Sequence, residues 1–446
     1  MPHPLFRFAF FVLVMMFSVL AGPVMSEDGS TRKWRMRYHE TLPELELERS
    51  PASASRSEEL EGVPQMRVSL NAFGRNFDLE LESNARLVAD LDPAGRDAMG
   101  PDMRLFRGGV AGEEDSWLRL AEQNGAWSGV IWDGVELYVI DPADDVAPAM
   151  MMPLRRAAGR QTNVIYRLSD TEDDTPLHCG SGSGEALPVG LAGGFGGLLA
   201  QLESVAPLVM ASATTEEALE LAVVADTQFV ALNGANTEMA VISRFNVVDG
   251  IFESQVGVAL SLVEIISLAS NGSLASSDAG ELLNQLADLS FSGEIDNPGL
   301  VHLFTGRNLN GSTAGIAFLQ SICRRFSGVG LSEVRGGGTR GAITVAHEIG
   351  HNFGAPHDNQ NGSPCASTPS GFIMNPSLNF GGNTFSQCSL DRIAPIVSQA
   401  QCLVPVPEPS VTSTWWLGAV ALVFMRGFGR AFRKETERGK VRHSPS

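Results

Sequence analysis

The sequence predicts an α/β domain in the second half of the chain and a β-rich unit in the first half. Between residues 66 and 142 short runs alternate apolar and polar residues, and Asp133-Gly134 between two of them is a good hairpin signal. Residues 219–225 instead form a nearly continuous apolar strand. A helix that Asn236 could cap follows, and then the apolar stretch 256–268. Strand, helix and strand within about 50 residues indicate an α/β sheet.

Length and composition narrow the classes of protein to which this chain can belong. It has 446 residues, 43% of them hydrophobic, which excludes wholesale disorder, and its length predicts two or three domains. Its 32 basic and 51 acidic residues give a formal net charge of −19, which argues against a nucleic-acid partner because such proteins need a basic patch. The five cysteines are an odd number, so two disulfides would leave one thiol over.

The N-terminus has the pattern of a secretory signal peptide over residues 1–21. Arg7 supplies a positive start, residues 8–20 are almost wholly apolar, and Ala21 ends a small-residue cleavage site. An uncleaved anchor is the alternative, but about 13 apolar residues are few against the roughly 20 that a membrane span needs. Residues 22–65 are largely polar and charged and are predicted to be a flexible N-terminal segment. Export would place the cysteines where disulfides persist.

The C-terminal segment, residues 403–446, is equally informative. Prolines from Pro405 onward stiffen a spacer, residues 415–425 are apolar, and a cluster of arginines comes after them. A plain C-terminal anchor is one interpretation, since cations beside a short apolar run tend to stay in the cytoplasm. The run Val406-Pro407-Glu408-Pro409-Ser410, together with the apolar stretch and the arginines, closely resembles the PEP-CTERM sorting tail of Gram-negative bacteria. The resemblance implies a membrane-embedded exosortase as partner and an exported protein, secreted or at the cell surface, that this segment anchors transiently.

A run of possible metal ligands begins at His347 and reads His-Glu-Ile-Gly-His-Asn-Phe-Gly-Ala-Pro-His-Asp. The apolar residues 342–346 before it predict a buried helix, which Thr339 could cap. On that helix residues four apart share one face, so His347 and His351 can present ring nitrogens to one metal ion.

The rest of the run supplies a base and a third ligand. Glu348 lies beside the first ligand, where it can reach a water molecule on the metal. Gly354 permits a backbone turn that bulkier residues avoid and so brings His357 round as the third ligand. Three protein ligands leave one position of a tetrahedral zinc ion open, as in catalytic sites. The alternatives are an ordinary helix with three solvated or core histidines, and a purely structural metal site, which would not need Glu348.

This extended pattern is the metzincin signature, and a second element typical of that family lies downstream. Metzincins carry a Met-turn beneath the zinc ion, and residues 371–375, Gly-Phe-Ile-Met-Asn, resemble it, with Met374 as the turn methionine. A lone methionine is otherwise usually core filler. The resemblance implies a metzincin catalytic domain, which is a mixed twisted sheet with helices, and zinc as its cofactor.

Asp358, directly after the third histidine, narrows the resemblance to the adamalysin (reprolysin) family. Residues 219–226 look like the opening strand of that family, and residues 303–306 and 315–318 look like its central strands. The last of these would be the edge strand to which a peptide substrate adds as a further strand. The resemblance implies a zinc endopeptidase in which Glu348 takes a proton from water and delivers it to the leaving amine.

The β-rich first half resembles the propeptide of the same family, notably in residues 77–87 and 117–142. The resemblance divides the chain into a β-rich propeptide over residues 66–180, a Gly-rich linker over 181–215 and a metzincin catalytic domain over 216–402. It implies a latent precursor. The alternative is a surface-retained binding module with a vestigial zinc site, which the complete ligand set disfavours.

The same resemblance assigns the five cysteines. It implies two disulfides, Cys323 with Cys402 and Cys365 with Cys388. That leaves Cys179, whose setting resembles the cysteine switch of metzincin propeptides, in which a thiolate occupies the open position on zinc. His178 and Ser181 replace the residues usual there, and an unrelated free thiol is the alternative.

A calcium site is a further implication of the family resemblance. In relatives a surface calcium ion lies near the C-terminal end of the domain, where Glu220 and Asp296 match two carboxylate ligands and Cys402 marks a third position. The asparagine expected shortly after Cys402 is missing, because Leu403 follows.

Overall fold

The computed structural model describes residues 34–49, 66–154, 161–173, 177–181, 217–334, 338–378 and 382–406. The predicted signal peptide, the Gly-rich linker after Ser181 and the sorting tail after Val406 lie outside these ranges, and they stay predictions. None of the helices within the described ranges is both long and apolar enough to cross a membrane.

The first half of the chain folds around one antiparallel sheet, which we call the N-terminal sheet. The strands of this half are β1 (Trp34–Met36), β2 (Glu40–Leu42), β3 (Glu48–Arg49), β4 (Met66–Ala72), β5 (Arg75–Ser83), β6 (Arg104–Val110), β7 (Trp117–Gln123), β8 (Ala126–Trp132), β9 (Leu137–Pro142), β10 (Asn163–Arg167) and β11 (Thr171–Asp173). In the described ranges nine of them form the N-terminal sheet, in the order β2-β10-β9-β8-β7-β6-β5-β4-β3. Strands β1 and β11 pair with each other as a separate ribbon.

The segments in which apolar and polar residues alternate form strands of the N-terminal sheet, each with one buried and one more exposed face. Along β4 and β5 buried side chains alternate with more exposed ones, and Val68 and Leu79 lie on the buried face. Asp133 closes the predicted hairpin between β8 and β9: its carboxylate accepts hydrogen bonds from the backbone N–H groups of Val135 (3.0 Å) and Glu136 (2.7 Å). The prediction of a β-rich first half is confirmed.

The second half of the chain contains a mixed sheet, which we call the catalytic sheet. Its strands are β12 (His178–Cys179), β13 (Glu217–Ala225), β14 (Val258–Ser267), β15 (Leu300–Thr305), β16 (Thr313–Ala317), β17 (Val329–Glu333) and β18 (Leu403–Pro405). They lie in the order β12-β16-β17-β15-β13-β14, with β18 also paired to β13. The adjacent strands β14, β13, β15 and β17 run parallel, whereas β16 is antiparallel to β17. This mixed α/β arrangement is the fold class that the sequence predicts.

Helices pack on both sheets and follow the predicted apolar segments. The α-helices of the described ranges are α1 (Pro93–Met99), α2 (Ala143–Val146), α3 (Thr227–Asn233), α4 (Thr237–Val256), α5 (Ala279–Ser292), α6 (Gly341–Asn352) and α7 (Gln387–Gln399). Helix α4 starts directly after Asn236, as the pattern indicates, and ends at Val256; Gly257 follows, and its φ of +75° suits a helix C-terminus. The Asn236 side chain makes no capping hydrogen bond, so the predicted cap is wrong even though the helix is present.

The zinc-motif helix α6 also begins without its predicted cap. Arg340 stands at the N-cap position, and no side chain caps the helix there. The Thr339 hydroxyl instead donates a hydrogen bond to the Asp141 carboxylate, 2.8 Å away in β9. The prediction of a Thr339 cap is wrong because this hydroxyl serves a partner 198 residues away, which local sequence patterns do not reveal.

Two disulfides tie the loops of the second half together. They join the two pairs implied by the family resemblance, Cys323 with Cys402 and Cys365 with Cys388. The first links the loop after β16 to the residue before β18, and the second links the loop after the zinc motif to the first turn of α7. Among the described residues Cys179 is left as a buried free thiol.

Candidate metal centre

Helix α6 presents two histidines and the glutamate between them to one buried place. The small and apolar residues of its first turns are buried, so packing holds this helix in place although its N-terminus lacks a side-chain cap. His347 and His351 lie one turn apart on the same face, and Glu348 is fully buried beside them. The helix therefore places both histidine rings on one face, as the four-residue spacing predicts.

Gly354 decides where the third histidine lies. Its φ of +106° is in the region that residues with side chains rarely adopt. A Cβ at this position would also lie 2.9 Å from Cγ1 of Ile396 on α7. The chain can therefore turn sharply after α6 and bring His357 back toward the first two histidines.

Three ring nitrogens meet at this point. The Nε2 atom of His357 lies 3.2 Å from that of His347 and 3.1 Å from that of His351. The Nδ1 atom of each ring lies against an oxygen: His347 against Ile373 O (2.6 Å), His351 against Ala355 O (2.7 Å) and His357 against Gln360 Oε1 (2.5 Å). These oxygens only accept hydrogen bonds, so each Nδ1 carries the proton and each Nε2 points an unshared electron pair at the other two.

Three electron pairs that face one another fit a shared cation. Burial also lowers the pKa of His347 to about 3 and that of His357 to about 4, and it lowers the pKa of His351 well below its usual range. All three rings are therefore neutral near pH 7, which is the form that binds metal. Imidazole nitrogens oriented by a hydrogen bond at the opposite ring atom are typical zinc ligands, so these residues fit a zinc ion.

Glu348 places a carboxylate beside the three rings. Burial raises its pKa well above the usual range. Its Oε1 atom has no hydrogen-bond partner among the described residues, whereas Oε2 accepts a hydrogen bond from the Cys179 thiol at 3.3 Å. Gly315 on β16 makes room for this carboxylate, because a Cβ there would lie 2.5 Å from Oε1. One carboxylate oxygen is thus left without a hydrogen bond to any described residue.

Met374 lies in a turn that packs against helix α6 and contacts the first histidine. The carbonyl oxygen of Ile373, next to it, accepts a hydrogen bond from Nδ1–H of His347, and the carbonyl oxygen of Met374 accepts one from the Asp358 N–H at 2.8 Å. The Met374 side chain is fully buried, and its sulfur lies 2.7 Å from where a Cβ of Gly350 would be. The turn therefore fixes both the first ligand and the segment that carries the third.

Cys179 completes the group, which we call the metal cluster: Cys179, His347, His351 and His357. The Cys179 sulfur lies 3.4 Å from Nε2 of His351, and the four ligand atoms lie within 4.8 Å of one another. In the part of the chain that the structure describes, this is the only group of three or more His, Cys, Asp or Glu side chains that could hold a metal ion. Burial, and after it the neighbouring Glu348 carboxyl, raise the pKa of the Cys179 thiol well above its usual range.

Residues 177–181, which we call the Cys179 segment, reach the metal cluster along the edge of the catalytic sheet. Strand β12 in this segment runs parallel to β16, and the Gly180 N–H donates to Gly315 O at 2.8 Å. On the other side the Cys179 N–H donates to Pro376 O at 3.1 Å, just after the Met374 turn. The segment therefore fills the groove between the edge strand and the turn.

The acidic residues predicted to bind calcium do not form a comparable group. Glu220 lies on β13 and Asp296 in the loop after α5, where it is exposed. Among the described residues neither belongs to a set of three or more His, Cys, Asp or Glu side chains within reach of one ion. Cys402 is engaged through its sulfur in a disulfide. Calcium binding stays a prediction.

Three contacts of the site were not predicted from the sequence. Gln360 orients His357, Gly315 leaves room for Glu348, and the Asp358 carboxylate accepts a hydrogen bond from the Ser386 hydroxyl at 2.8 Å, which ties the third-ligand loop to the start of α7. The sequence does mark Asp358, because this residue directly follows the third histidine. Gln360 and Gly315 stand in unremarkable sequence, and only their position in the fold shows what they contact.

Comparison with known proteins agrees with this geometry. A family profile described as Metallo-peptidase family M12 (Reprolysin_5) matches residues 215–386, which include all three histidines, Glu348 and Met374. Residues 215–386 are therefore similar to a reprolysin-type metalloprotease domain, and we call them the reprolysin-type domain after this match. The rest of the catalytic sheet, up to residue 406, continues this domain.

Several curated relatives resemble the chain, each over part of its length. A disintegrin and metalloproteinase with thrombospondin motifs 18 from Homo sapiens is 31% identical over 210 residues, which are 43% of this chain and 17% of the relative. Disintegrin and metalloproteinase domain-containing protein 11 from Homo sapiens is 25% identical over 354 residues, 74% of this chain and 44% of the relative. Domain-containing protein 33 of the same series, also human, is 26% identical over 402 residues, 83% of this chain and 46% of the relative. The chain thus spans less than half the length of these relatives.

The two longer matches extend beyond the reprolysin-type domain, because 354 and 402 residues exceed its span. The matched family is one of metallopeptidases, and the three histidines of the metal cluster lie within the matched residues.

Proposed function

We propose that this chain is a zinc endopeptidase that cleaves internal peptide bonds of protein substrates and is made as a latent precursor. The observation that carries the proposal is the meeting of three unprotonated Nε2 atoms close to the Glu348 carboxylate, whose Oε2 shares the Cys179 sulfur with His351 and whose Oε1 has no hydrogen-bond partner among the described residues. Neutral imidazoles with no shared cation would have no reason to converge in a buried place. A carboxylate beside them is what hydrolysis needs and a structural metal site does not.

Glu348 performs the proton transfers. Zinc held by His347, His351 and His357 would polarise the scissile carbonyl and make a nearby water molecule more acidic. The Glu348 carboxylate takes a proton from the attacking water and then delivers it to the nitrogen of the leaving amine. Gly315 supports this role, because only a residue without a side chain leaves the carboxylate in place.

The edge of the catalytic sheet supports an extended peptide as substrate. Strand β16 already pairs with one extended segment, residues 177–181, through backbone hydrogen bonds. Backbone pairing of this kind does not depend on side chains, so an unrelated peptide can use the same donors and acceptors once the segment leaves. The substrates proposed are therefore proteins or peptides as a class.

The position of the Cys179 segment supports latency. It brings a sulfur ligand to the metal cluster and covers the edge strand, so one short segment blocks both the metal and the substrate path. In this proposal residues 66–180 are the propeptide, and a cut in the linker, residues 181–215, starts activation.

Export is the part of the proposal that rests on the sequence of the chain ends. The signal-peptide pattern of residues 1–21 and the PEP-CTERM-like tail within residues 403–446 support an exported protein of a Gram-negative bacterium, with an exosortase as partner. The two disulfides fit an oxidising compartment outside the cytoplasm.

A glutamate substitution tests the activity. In full-length protein carrying Cys179→Ala, we expect zinc-dependent hydrolysis of denatured casein that a chelator abolishes. Adding Glu348→Gln should reduce the rate by a factor on the order of 100 or more while the zinc content stays the same, because only the proton carrier is lost. Glu281→Gln, on the exposed surface of α5, is the matched control and should keep the activity. Full activity of the Glu348→Gln protein, or zinc-loaded protein that hydrolyses nothing, would contradict the proposal; the second result would favour a binding module.

A further inference from the structure

Helix α4 of the reprolysin-type domain is buried between two sheets. One side packs on β14 of the catalytic sheet, and the other packs on β7 and β8 of the N-terminal sheet. Buried residues run almost without interruption from Val241 to Phe252, including residues on both sides of the helix. A surface helix shows a polar face instead. The outer side of α4 is therefore built to be covered, and strands β7 and β8 cover it. We call the described residues between 34 and 173 the N-terminal unit.

A buried charge pair lies at the centre of this contact. Asp249 of α4 is fully buried, and its carboxylate accepts a hydrogen bond from Arg119 of β7 at 3.0 Å and one from the Asn84 amide at 3.0 Å. Burial raises the pKa of Asp249, but the guanidinium groups of Arg119 and Arg86 outweigh it, and the net pKa lies below the ordinary value. The carboxylate is thus ionised, and its two cationic partners both belong to the N-terminal unit. Without that unit the Asp249 carboxylate would keep, among the described residues of its own domain, the hydrogen bond from the Leu260 N–H alone.

Further contacts show that this face of α4 and strand β7 match in shape and charge. Gly250 lets α4 approach β7 closely, because a Cβ there would lie 2.6 Å from Cγ of Arg119 and 2.7 Å from Cζ3 of Trp117. One turn before Gly250, the Asn246 side chain donates a hydrogen bond to Leu120 O at 3.0 Å. One turn after Asp249, the Glu253 carboxylate forms an ion pair with Arg119. We call residues 246, 249, 250 and 253 the docking face of α4; they recur at helical spacing.

A second contact ties the N-terminal unit to the start of the zinc-motif helix. The Arg340 guanidinium makes two hydrogen bonds to the Asp173 carboxylate, at 3.1 and 2.6 Å, and lies 5.0 Å over the ring of Trp34. Asp141 accepts hydrogen bonds from both the N–H (2.9 Å) and the hydroxyl of Thr339. This contact and the docking face are separate from the Cys179 segment, which touches the metal cluster.

We propose that the N-terminal unit stays bound to the reprolysin-type domain as a non-covalent subunit after the chain is cut between residues 182 and 216, with the docking face of α4 as its binding surface. A single apolar core supports this, because Val139 and Tyr166 of the N-terminal unit and Phe245 and Ile251 of α4 belong to one cluster of buried residues. Docking and inhibition are then separate: the docking face retains the unit, and the Cys179 segment alone blocks the site. The inference concerns association and does not depend on peptidase activity.

Cutting the full-length chain tests the proposal directly. A recognition sequence for a site-specific protease replaces residues 195–201, the purified protein is cut, and gel filtration at low micromolar concentration follows. We expect both fragments in one peak, with separation only in denaturant. Elution of a folded reprolysin-type fragment by itself would overturn the proposal, whether or not that fragment hydrolyses casein.

Two treatments distinguish the docking face from the metal cluster as the point of attachment. The same experiment is run with Cys179→Ala and, separately, with a zinc chelator. Co-elution should persist in both, because neither touches α4. Loss of co-elution in either would show that the thiol–metal contact holds the fragments together and would overturn the proposal.

A matched pair of arginine substitutions measures the contribution of the docking face. Arg119→Met leaves Asp249 buried without its nearest cation and should weaken association of the cut fragments by a factor on the order of 100. Arg67→Met is the control, since Arg67 is half exposed on β4 and pairs with Glu80 inside the N-terminal unit. Tryptophan fluorescence of the uncut full-length variants checks that both fold before they are cut. Equal dissociation constants for the two folded variants would overturn the assignment of the docking face.

Discussion

Among the described residues of the N-terminal half, Cys179 alone contributes a ligand atom, its sulfur, to the metal cluster. Replacing it with alanine removes the sulfur but leaves the backbone pairing of the Cys179 segment on β16. We therefore expect uncut Cys179→Ala precursor to hydrolyse casein faster than uncut wild-type precursor, by a factor on the order of 10 or more, because a zinc–thiolate bond no longer has to break. Initial rates on intact precursor measure the effect.

The neighbouring residue provides the control for this substitution. His178 is exposed, and its backbone rather than its ring makes the strand contacts, so His178→Ala keeps the thiol in place. That variant should be as latent as the wild type. If Cys179→Ala were equally latent, the cysteine would be an unrelated free thiol.

His302 gives the folded protein a defined sensitivity to acid. It is fully buried on β15, its Nε2 lies 3.0 Å from the Ser332 hydroxyl, and its Nδ1 has no hydrogen-bond partner among the described residues. Burial lowers its pKa to about 3, whereas the unfolded value is about 6.5. The unfolded chain therefore binds the proton first, so this contribution to stability is complete above about pH 6.5 and falls as the pH drops toward 3, by ~1.4 kcal/mol per pH unit.

Comparison with a variant isolates this contribution. His302→Gln keeps a polar partner for Ser332 but cannot be protonated. In urea unfolding between pH 7.5 and pH 4.5, the stability of the wild type should fall more steeply than that of the variant, by up to about 1.4 kcal/mol for each pH unit below 6.5. Parallel profiles would show that His302 does not titrate in this way.

At the scale of elements, the edge strand β16 and helix α6 meet through a glycine. Gly315 lies where a Cβ would be 2.5 Å from the Glu348 carboxylate, so Gly315→Ala must displace that carboxylate or the strand. We expect kcat/KM to fall about 100-fold with zinc content unchanged, because a shift of about 1 Å at a catalytic group has that effect. Gly280→Ala on α5, where a Cβ meets only Asp278 at 3.5 Å, should leave both quantities unchanged. Loss of zinc from Gly315→Ala would instead indicate a disrupted ligand set.

The same scale shows which features sequence patterns predict. Strand β13, helix α4 and the β8–β9 hairpin follow from apolar runs and a turn signal, because each depends on residues close together in the chain. The ligand triad follows for a similar reason, since helical spacing and one glycine place all three rings. The predicted helix caps at Asn236 and Thr339 are wrong because the hydrogen-bond partner of a hydroxyl or amide group depends on the whole fold. The Thr339 hydroxyl, for example, donates to Asp141.

At the scale of the molecule, the sequence predicts two units but not how they join. The alternating runs of the first half and the α/β pattern of the second are each complete without the other. Nothing in the spacing of Arg119 or Asp249 indicates that they pair across 130 residues. A buried aspartate in a helix otherwise predicts only a local hydrogen bond. The shared core is therefore a property of the folded chain that no local pattern contains.

That shared core predicts that the uncut chain unfolds as one unit. In the described ranges the tryptophans, at positions 34, 117, 127 and 132, all lie in the N-terminal unit, whereas three of the four metal-cluster residues lie in the reprolysin-type domain. With Trp415 and Trp416 replaced by phenylalanine, tryptophan fluorescence reports on the N-terminal unit alone. We expect a zinc chelator to lower the melting temperature seen by this probe, because metal binding stabilises only the native state and both units unfold together.

Circular dichroism of the whole chain should shift by the same amount. His357→Gln is the control, since a chain that has lost one ligand binds zinc weakly and should melt at the same temperature with and without chelator. A chelator that shifts the circular dichroism transition but leaves the tryptophan transition in place would show that the units unfold independently. Removal of the metal would then loosen the reprolysin-type domain without reaching Arg119, and the buried pair with Asp249 would not couple the two halves.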